Sequence, residues 1–363
     1  MPLQDISARH LVLPLAEPIQ SAIHRIDEIH VLLTEVRDEA GHEGFGAAIA
    51  FRPEFVRSML AIVRDVAPLV RELPPERIGA AREAMLQRIN YVGWSGVAVQ
   101  AIATVDMALW VLLSRRLREP LYRLLGAHTA RLDAYHGHGL WMGRKGQALA
   151  DEALRYVDEG YRAIKLRLGQ NDLAADLDRV ERVRKAIGGA VVLMVDANQG
   201  QDPLYAERLG RAIEPYDIFW YEEPVAYTDV AHHARLAAAL RVPIATGQSE
   251  YLERGMLGYL RARACQVIMP DVCRMGGITG WKKAAALADA FQTPVSNHMY
   301  VEFGQHLQAS IPNRTYTDTI DWLAPLFTGR IRFEDGSILL SDEPGIGLEL
   351  DRKAIERFRA RTD

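Results

Sequence analysis

Cysteine is scarce in this chain of 363 residues. Its two cysteines, Cys265 and Cys273, are too few for a disulfide framework and lack partners at metal-ligand spacing. Nor is there a block of like charge. With 43 Lys and Arg against 47 Asp and Glu, the formal net charge is -4, which argues for neither a nucleic-acid nor a membrane-surface partner. The opening residues, MPLQDISARHLVLPL, lack a cationic leader followed by an apolar run and a small-residue cleavage site. A reduced, cytoplasmic setting is therefore expected. A glycine-rich phosphate turn after the first strand of an alternating pattern is also missing, which counts against an open doubly wound sheet. The longest apolar run, Gly96 to Leu113, is interrupted by Gln100, Thr104 and Asp106, so it reads as a helix buried on most faces and not as a membrane span.

What the chain does have is rhythm. From about residue 130, short β-branched or aromatic runs alternate with stretches of helical period. The strand candidates are LDAYHG, AIKLRLG, VVLMVDAN, DIFWYEEP, VPIATG, QVIMPD and TPVSNH, with a weaker eighth near RTYTDT. Such alternation predicts an α/β fold, a (β/α)7β-type TIM barrel. The first 125 residues differ: strand-like alternation around a glycine-containing turn (24–51) is followed by helices from about Pro53 to Leu125. We expect residues 1–125 to form an α+β capping domain and 126–325 the catalytic barrel. Residues 326–363, with EDGS as a hairpin turn, are expected to return to the cap.

Polar residues fall at the ends of these strands. Lys165 and Arg167 end the second, Asp196 and Asn198 the third, and Glu222 and Glu223 the fourth. Gln248 follows the fifth, Asp271 the sixth and His298 the seventh, and Asp318 falls at the eighth. In a parallel barrel all of them would project into one mouth, where chemistry is placed. Singly, a carboxylate at a strand end is often an N-cap. Independent caps would not also supply a cationic pair, an amide and a histidine.

In order and spacing, the segments ATVDMALWVLLSRRLREPLYRLLG, AIKLRLG, VDANQG, WYEEP, IATGQSEY, MPDVCRMGGITG, VSNH and TDTIDW resemble the enolase superfamily. The likeness is to its mandelate racemase and muconate lactonizing enzyme branch, nearest the mandelate racemase subgroup. It implies a Mg²⁺ held by Asp196, Glu222 and, at the third ligand position, Gln248, since the cation wants hard oxygen donors. It implies a dyad of Asp271 and His298 and a basic pair, Lys165 and Arg167. Asp318 takes the acidic position that donates a hydrogen bond to the substrate carboxylate, and Glu223 is left as a structural neighbour. The chemistry implied is removal of a proton α to a carboxylate, which needs cationic groups aimed at the developing enolate.

Two departures from the subgroup bear on the reaction. Arg167 stands where its racemases carry lysine, and arginine is a poor base. It is expected to act as an electrostatic clamp, with His298 as the main proton acceptor and Lys165 as a carboxylate or enolate partner. That favours dehydration of an acid sugar, an aldonate or aldarate, to a 2-keto-3-deoxy acid. Racemisation or epimerisation is the alternative, and a degenerate barrel that only binds an acid is a second. Gln248 leaves the metal shell one negative charge short unless Glu250 supplies it. His24 and Asn198 are candidate substrate contacts, and a symmetric homo-oligomer is expected from the resemblance.

Overall fold

The computed structural model describes residues 3–360. Strands β1 (Leu3–Gln20), β2 (Arg25–Asp38) and β3 (Glu43–Ala50) pair antiparallel in that order. Sequence alternation marks β2 and β3 but not β1, because Pro14 and Pro18 interrupt it. The sheet takes them at its edge, where the register slips between Pro14 and Ile19.

The helix Gly96–Leu117 packs against this sheet. By length and composition it could cross a membrane, yet most of it is buried within the protein, including Asp106 and Thr104. Its approach to β3 depends on two glycines. A Cβ at Gly44 would lie 2.0 Å from the Ala108 carbonyl oxygen, and one at Gly46 would lie 2.1 Å from that of Thr104. The Thr34 and Thr104 hydroxyls meet at 2.6 Å in the same interface.

Eight parallel staves follow. They are β4 (Arg131–Tyr135), β5 (Ala163–Arg167), β6 (Val192–Asp196), β7 (Ile218–Glu222), β8 (Ile244–Thr246), β9 (Val267–Ile268), a stave at 295–298, and β10 (Thr317–Asp318). The seventh is joined by isolated bridges, Ile268 to Val295 and Asp271 to His298. Pairing of β10 with β4 closes the barrel. Alternation along each strand sorts the side chains. Leu166, Val195 and Tyr221 pack in the cluster shared with the outer helices, whereas Ala163, Met194 and Trp220 form an inner layer. Two residues further on, the inner positions are Lys165, Asp196 and Glu222, so the polar layer sits directly on an apolar floor.

The C-terminal hairpin, β11 (Arg332–Glu334) and β12 (Ser337–Leu339), turns at Asp335 and Gly336, both with positive φ. It pairs with the barrel strand β4 and not with the N-terminal sheet. On either side of it the same segment meets that sheet, through the Phe327 ring against Phe45, an ion pair of Arg352 with Glu43, and a bridge from Arg359 to Leu11.

Buried polar contacts lock the N-terminal unit to the barrel. Asp106 accepts hydrogen bonds from the Thr279 hydroxyl at 2.6 Å and the Thr279 amide at 3.0 Å, in the first turn of helix Ile278–Ala290. Arg82 donates to Glu253 at 2.8 Å and to the Met275 carbonyl at 3.3 Å. Asp106→Ala would strand the two half-buried donors of Thr279, together costing about 1–3 kcal/mol. A loss of roughly that size is expected in denaturant unfolding, and an unchanged midpoint would show that this contact does not hold the two units together.

Candidate active site

The network at the barrel mouth begins on β5. Lys165 and Arg167 are two residues apart and therefore share the inner face, each only 2% exposed. The Lys165 ammonium donates to both Glu222 oxygens at 2.9 and 3.0 Å and lies 3.6 Å from Asp196. Arg167 donates to Asp196 Oδ2 at 2.8 Å and to the Gly137 carbonyl at 2.9 Å, and its guanidinium stacks over Trp141. Burial, reinforced by the neighbouring Asp196, pushes Glu222 up, against the pull of Lys165 and Arg167. Burial opposes ionisation of Asp196 too, but Arg167 and Lys165 outweigh it and hold this carboxyl below its usual range.

Asn198 orients Asp196. Its amide N–H and side-chain Nδ2 donate to the two carboxylate oxygens at 2.8 and 3.2 Å, while its own Oδ1 is buried without a partner among the described residues. Glu223 has a different task. It accepts from the Thr246 hydroxyl, from Gly247 N at 3.2 Å and from Ser249 Oγ at 3.1 Å. The loop after β8 thus wraps this carboxylate, and Gly247, at φ 110°, makes the turn. Gln248 consequently faces the cavity.

The Gln248 Oε1 atom is buried and has no hydrogen-bond partner among the described residues. A hard acceptor left bare on the wall that Asp196 also lines suits a Mg²⁺ site, and Glu222, the register partner of Asp196 on the next strand, supplies a second carboxylate although it does not itself reach that wall, so Asp196, Glu222 and Gln248 fit the cation. Among the described residues no group of three His, Cys, Asp or Glu side chains forms such a site, because the third donor here is an amide. Glu250 turns elsewhere. It accepts from Tyr251 N at 3.3 Å, lies against Gly255 of the helix Leu252–Ala262 that follows it, and is absent from the cavity wall.

The Asp271 carboxylate accepts from Cys273 N and Arg274 N at 2.8 and 2.9 Å through one oxygen. Its other oxygen meets His298 Nδ1 at 2.8 Å. A carboxylate held this way can only accept, so Nδ1 carries the proton and Nε2 is left as a base. Both residues line a cavity of about 160 Å³ together with Lys165, Arg167, Asp196 and Gln248.

Two other expected residues, His24 and Asn198, also reach that wall. Asp318 does not. Its oxygens accept from Met299 N and Ile320 N, both at 3.2 Å, so the structure gives it the positioning of the loop behind His298. His136 is likewise withdrawn, stacked on Tyr156 at 3.6 Å and kept neutral mainly by burial, its pKa near 3. Sequence reasoning missed Trp141, Arg274 and Trp322, which also line the wall. Trp141 and Trp322 follow the first and eighth strand candidates, and that position was the available signal.

A closed eight-stave barrel with this set of inward polar groups defines a class of enzyme that works at strand C-terminal ends. Residues 3–126 match the family described as mandelate racemase / muconate lactonizing enzyme, N-terminal domain, and residues 148–354 match Enolase C-terminal domain-like. The chain belongs to the mandelate racemase and muconate lactonizing enzyme family of the enolase superfamily. It is 34% identical over 352 residues to L-talarate/galactarate dehydratase of Salmonella typhimurium, covering 94% of this chain and 87% of that one. It is 30% identical to 3,6-anhydro-alpha-L-galactonate cycloisomerase of Streptomyces coelicolor, covering 95% and 96%. The Salmonella typhimurium dehydratase structure liganded with Mg and L-lyxarohydroxamate superposes with a TM-score of 0.94 at 32% identity, covering 99% of this chain and 93% of that one.

Replacing the amide tests the third donor. Gln248→Glu adds a negative charge to the shell, and Mg²⁺ affinity measured by calorimetry should rise on the order of tenfold or more. Unchanged affinity would mean that Gln248 does not face the cation.

Proposed function

We propose that the chain is a Mg²⁺-dependent acid-sugar dehydratase that converts an aldonate or aldarate to its 2-keto-3-deoxy acid. The observation that carries this reading is the His298–Asp271 dyad, set with its free Nε2 in the same cavity as Lys165 and Arg167. His298 Nε2 takes the proton α to the substrate carboxylate, and Asp271 supports the imidazolium that results. When bound at Asp196, Glu222 and Gln248, Mg²⁺ supplies Lewis-acid polarisation of a carboxylate oxygen. Lys165 and Arg167 orient that carboxylate and offset the charge gathering on it.

Arg167 favours dehydration over racemisation. A racemase needs a competent base on each face of the α-carbon, and a guanidinium does not serve as one. Dehydration asks for one base, with the protonated imidazole of His298 available to assist departure of the β-hydroxyl. The relative named for talarate and galactarate points to a diacid as the first substrates to try. Two free cysteines accord with a cytoplasmic setting, and the family relationship supports a homo-oligomer.

Incubation with Mg²⁺ and a panel of acid sugars should release a 2-keto acid from at least one member. His298→Asn should lower kcat for that substrate by roughly 10²- to 10⁴-fold. Washout of α-deuterium without keto acid would instead mark a racemase or epimerase, and Mg²⁺ binding with neither would mark an acid-binding barrel.

A further inference from the structure

Lysine and arginine line the catalytic cavity at three positions, and two of these cations are already balanced. Lys165 rests on Glu222 and Arg167 on Asp196. Arg274, the third, has no carboxylate partner among the described residues. Asp271, three residues before it, spends one oxygen on the Arg274 backbone amide and the other on His298. The guanidinium itself donates only from Nη1, to the Ser249 carbonyl at 3.0 Å, and lies over the Tyr251 ring at 5.4 Å. Nε and Nη2 form no hydrogen bond with any described residue, and neither is sealed from solvent. Arginine cannot shed its proton to relieve a half-buried charge, so these free donors suit an anion brought into the cavity.

The fold separates this cation from the other two. Lys165 and Arg167 end the second stave, whereas Arg274 follows the sixth, so they stand on opposite sides of the closed mouth. Arg274 also lies where the N-terminal unit meets the barrel. Gln100, from the helix Gly96–Leu117, donates to the Tyr251 hydroxyl at 3.5 Å. His24, from the turn between β1 and β2, leans on Phe51 and reaches the same wall. Burial, with the Arg274 charge adding to it, lowers the His24 pKa. A neutral imidazole results at pH 7, able to donate one hydrogen bond.

We infer that Arg274 binds a second carboxylate of the substrate, at the end of the carbon chain away from Lys165 and Arg167, and so selects aldarates over aldonates. This inference rests on the acid-sugar reading above. A guanidinium edge matches a carboxylate through two parallel N–H bonds, and the edge formed by Nε and Nη2 is the one left open here. His24 adds a hydrogen bond beside it. An aldonate ends in a hydroxyl at this place and leaves the charge on Arg274 unmatched.

Calorimetric titration of the full chain carrying His298→Asn, which lacks the base, tests this in the presence of Mg²⁺. The probes are galactarate with galactonate, glucarate with gluconate, and mannarate with mannonate, and within each pair only the far carbon differs. The diacid of at least one pair should bind roughly tenfold tighter or more than its monoacid. Arg274→Gln in the same background, whose amide can still reach the Ser249 carbonyl, should abolish that preference and leave monoacid affinity within about twofold. A diacid bound no tighter than its monoacid would overturn the inference and leave the acid-sugar reading standing. So would equal weakening of both members in Arg274→Gln, which would mark Arg274 as an anchor for the loop. Binding by no pair would overturn the inference together with the reading beneath it. Should Arg274→Gln not fold, Arg274→Lys replaces it, and an undiminished diacid preference there would count against the forked contact.

Discussion

Two cations and two carboxylates are buried together at the mouth of this barrel, and none of the four is stable there without the others. Moving one such ion out of water costs several kcal/mol even after relaxation. Lys165 is balanced by Glu222, and Arg167 by Asp196, at 2.8–3.0 Å. Strand periodicity imposes this density of charge. Once Ala163, Met194 and Trp220 fill the inner layer below, the next inward positions on three neighbouring strands are fixed, and the sequence places ionisable groups at all of them.

The loops that leave these strands are shaped by the same requirement. Asn198, Gln199, Glu223, Met299 and Tyr300 all take left-handed backbone conformations, which cost energy in non-glycine residues and persist only where surrounding contacts enforce them. The contacts are present. Gln199 donates to Ser249 at 2.8 Å, Ser249 donates to Glu223, and Asp318 accepts from Met299 N. The N-terminal sheet joins in, because Ile49 N donates to the Tyr300 hydroxyl at 2.8 Å and Cys273 donates to the Ala47 carbonyl at 3.3 Å. Both tethers land beside the Asp271–His298 dyad. The same strand brings Ile49 to the cavity, with Phe51 just beyond its end, so the unit that covers the substrate is fastened to the loops that bear the base.

The barrel was legible in the sequence because its staves repeat and each carries a polar residue at its end. The seventh stave could be read from TPVSNH even though it forms only isolated bridges. The edge strand β1 could not, since two prolines mask its alternation. The hairpin turn at Asp335 and Gly336 was plain, but its partner was not, because turn chemistry says nothing about which strand edge lies nearby. Within the site, spacing marked Lys165, Asp196, Gln248, Asp271 and His298. It could not show that Asp318, whose oxygens each accept from one backbone amide, stays off the cavity wall.

Arg167 and Gln248, the two departures from the subgroup, act in the same electrostatic direction. On the proposed reading, a divalent cation held by Asp196, Glu222 and a neutral amide would leave the ligand shell balanced and Lys165 and Arg167 in excess. A carboxylate that has lost its α-proton carries two negative charges, which that excess matches. A glutamate at 248 would remove one positive charge from the balance, and a deprotonated lysine at 167 would remove another. The same substitutions that take away a second base and an anionic ligand therefore strengthen the field at the developing enolate. On that reading the site would give up reversible proton exchange on two faces and gain stabilisation of a single intermediate. Loss of a β-hydroxyl makes use of that stabilisation, because it draws electrons out of the enolate in one direction.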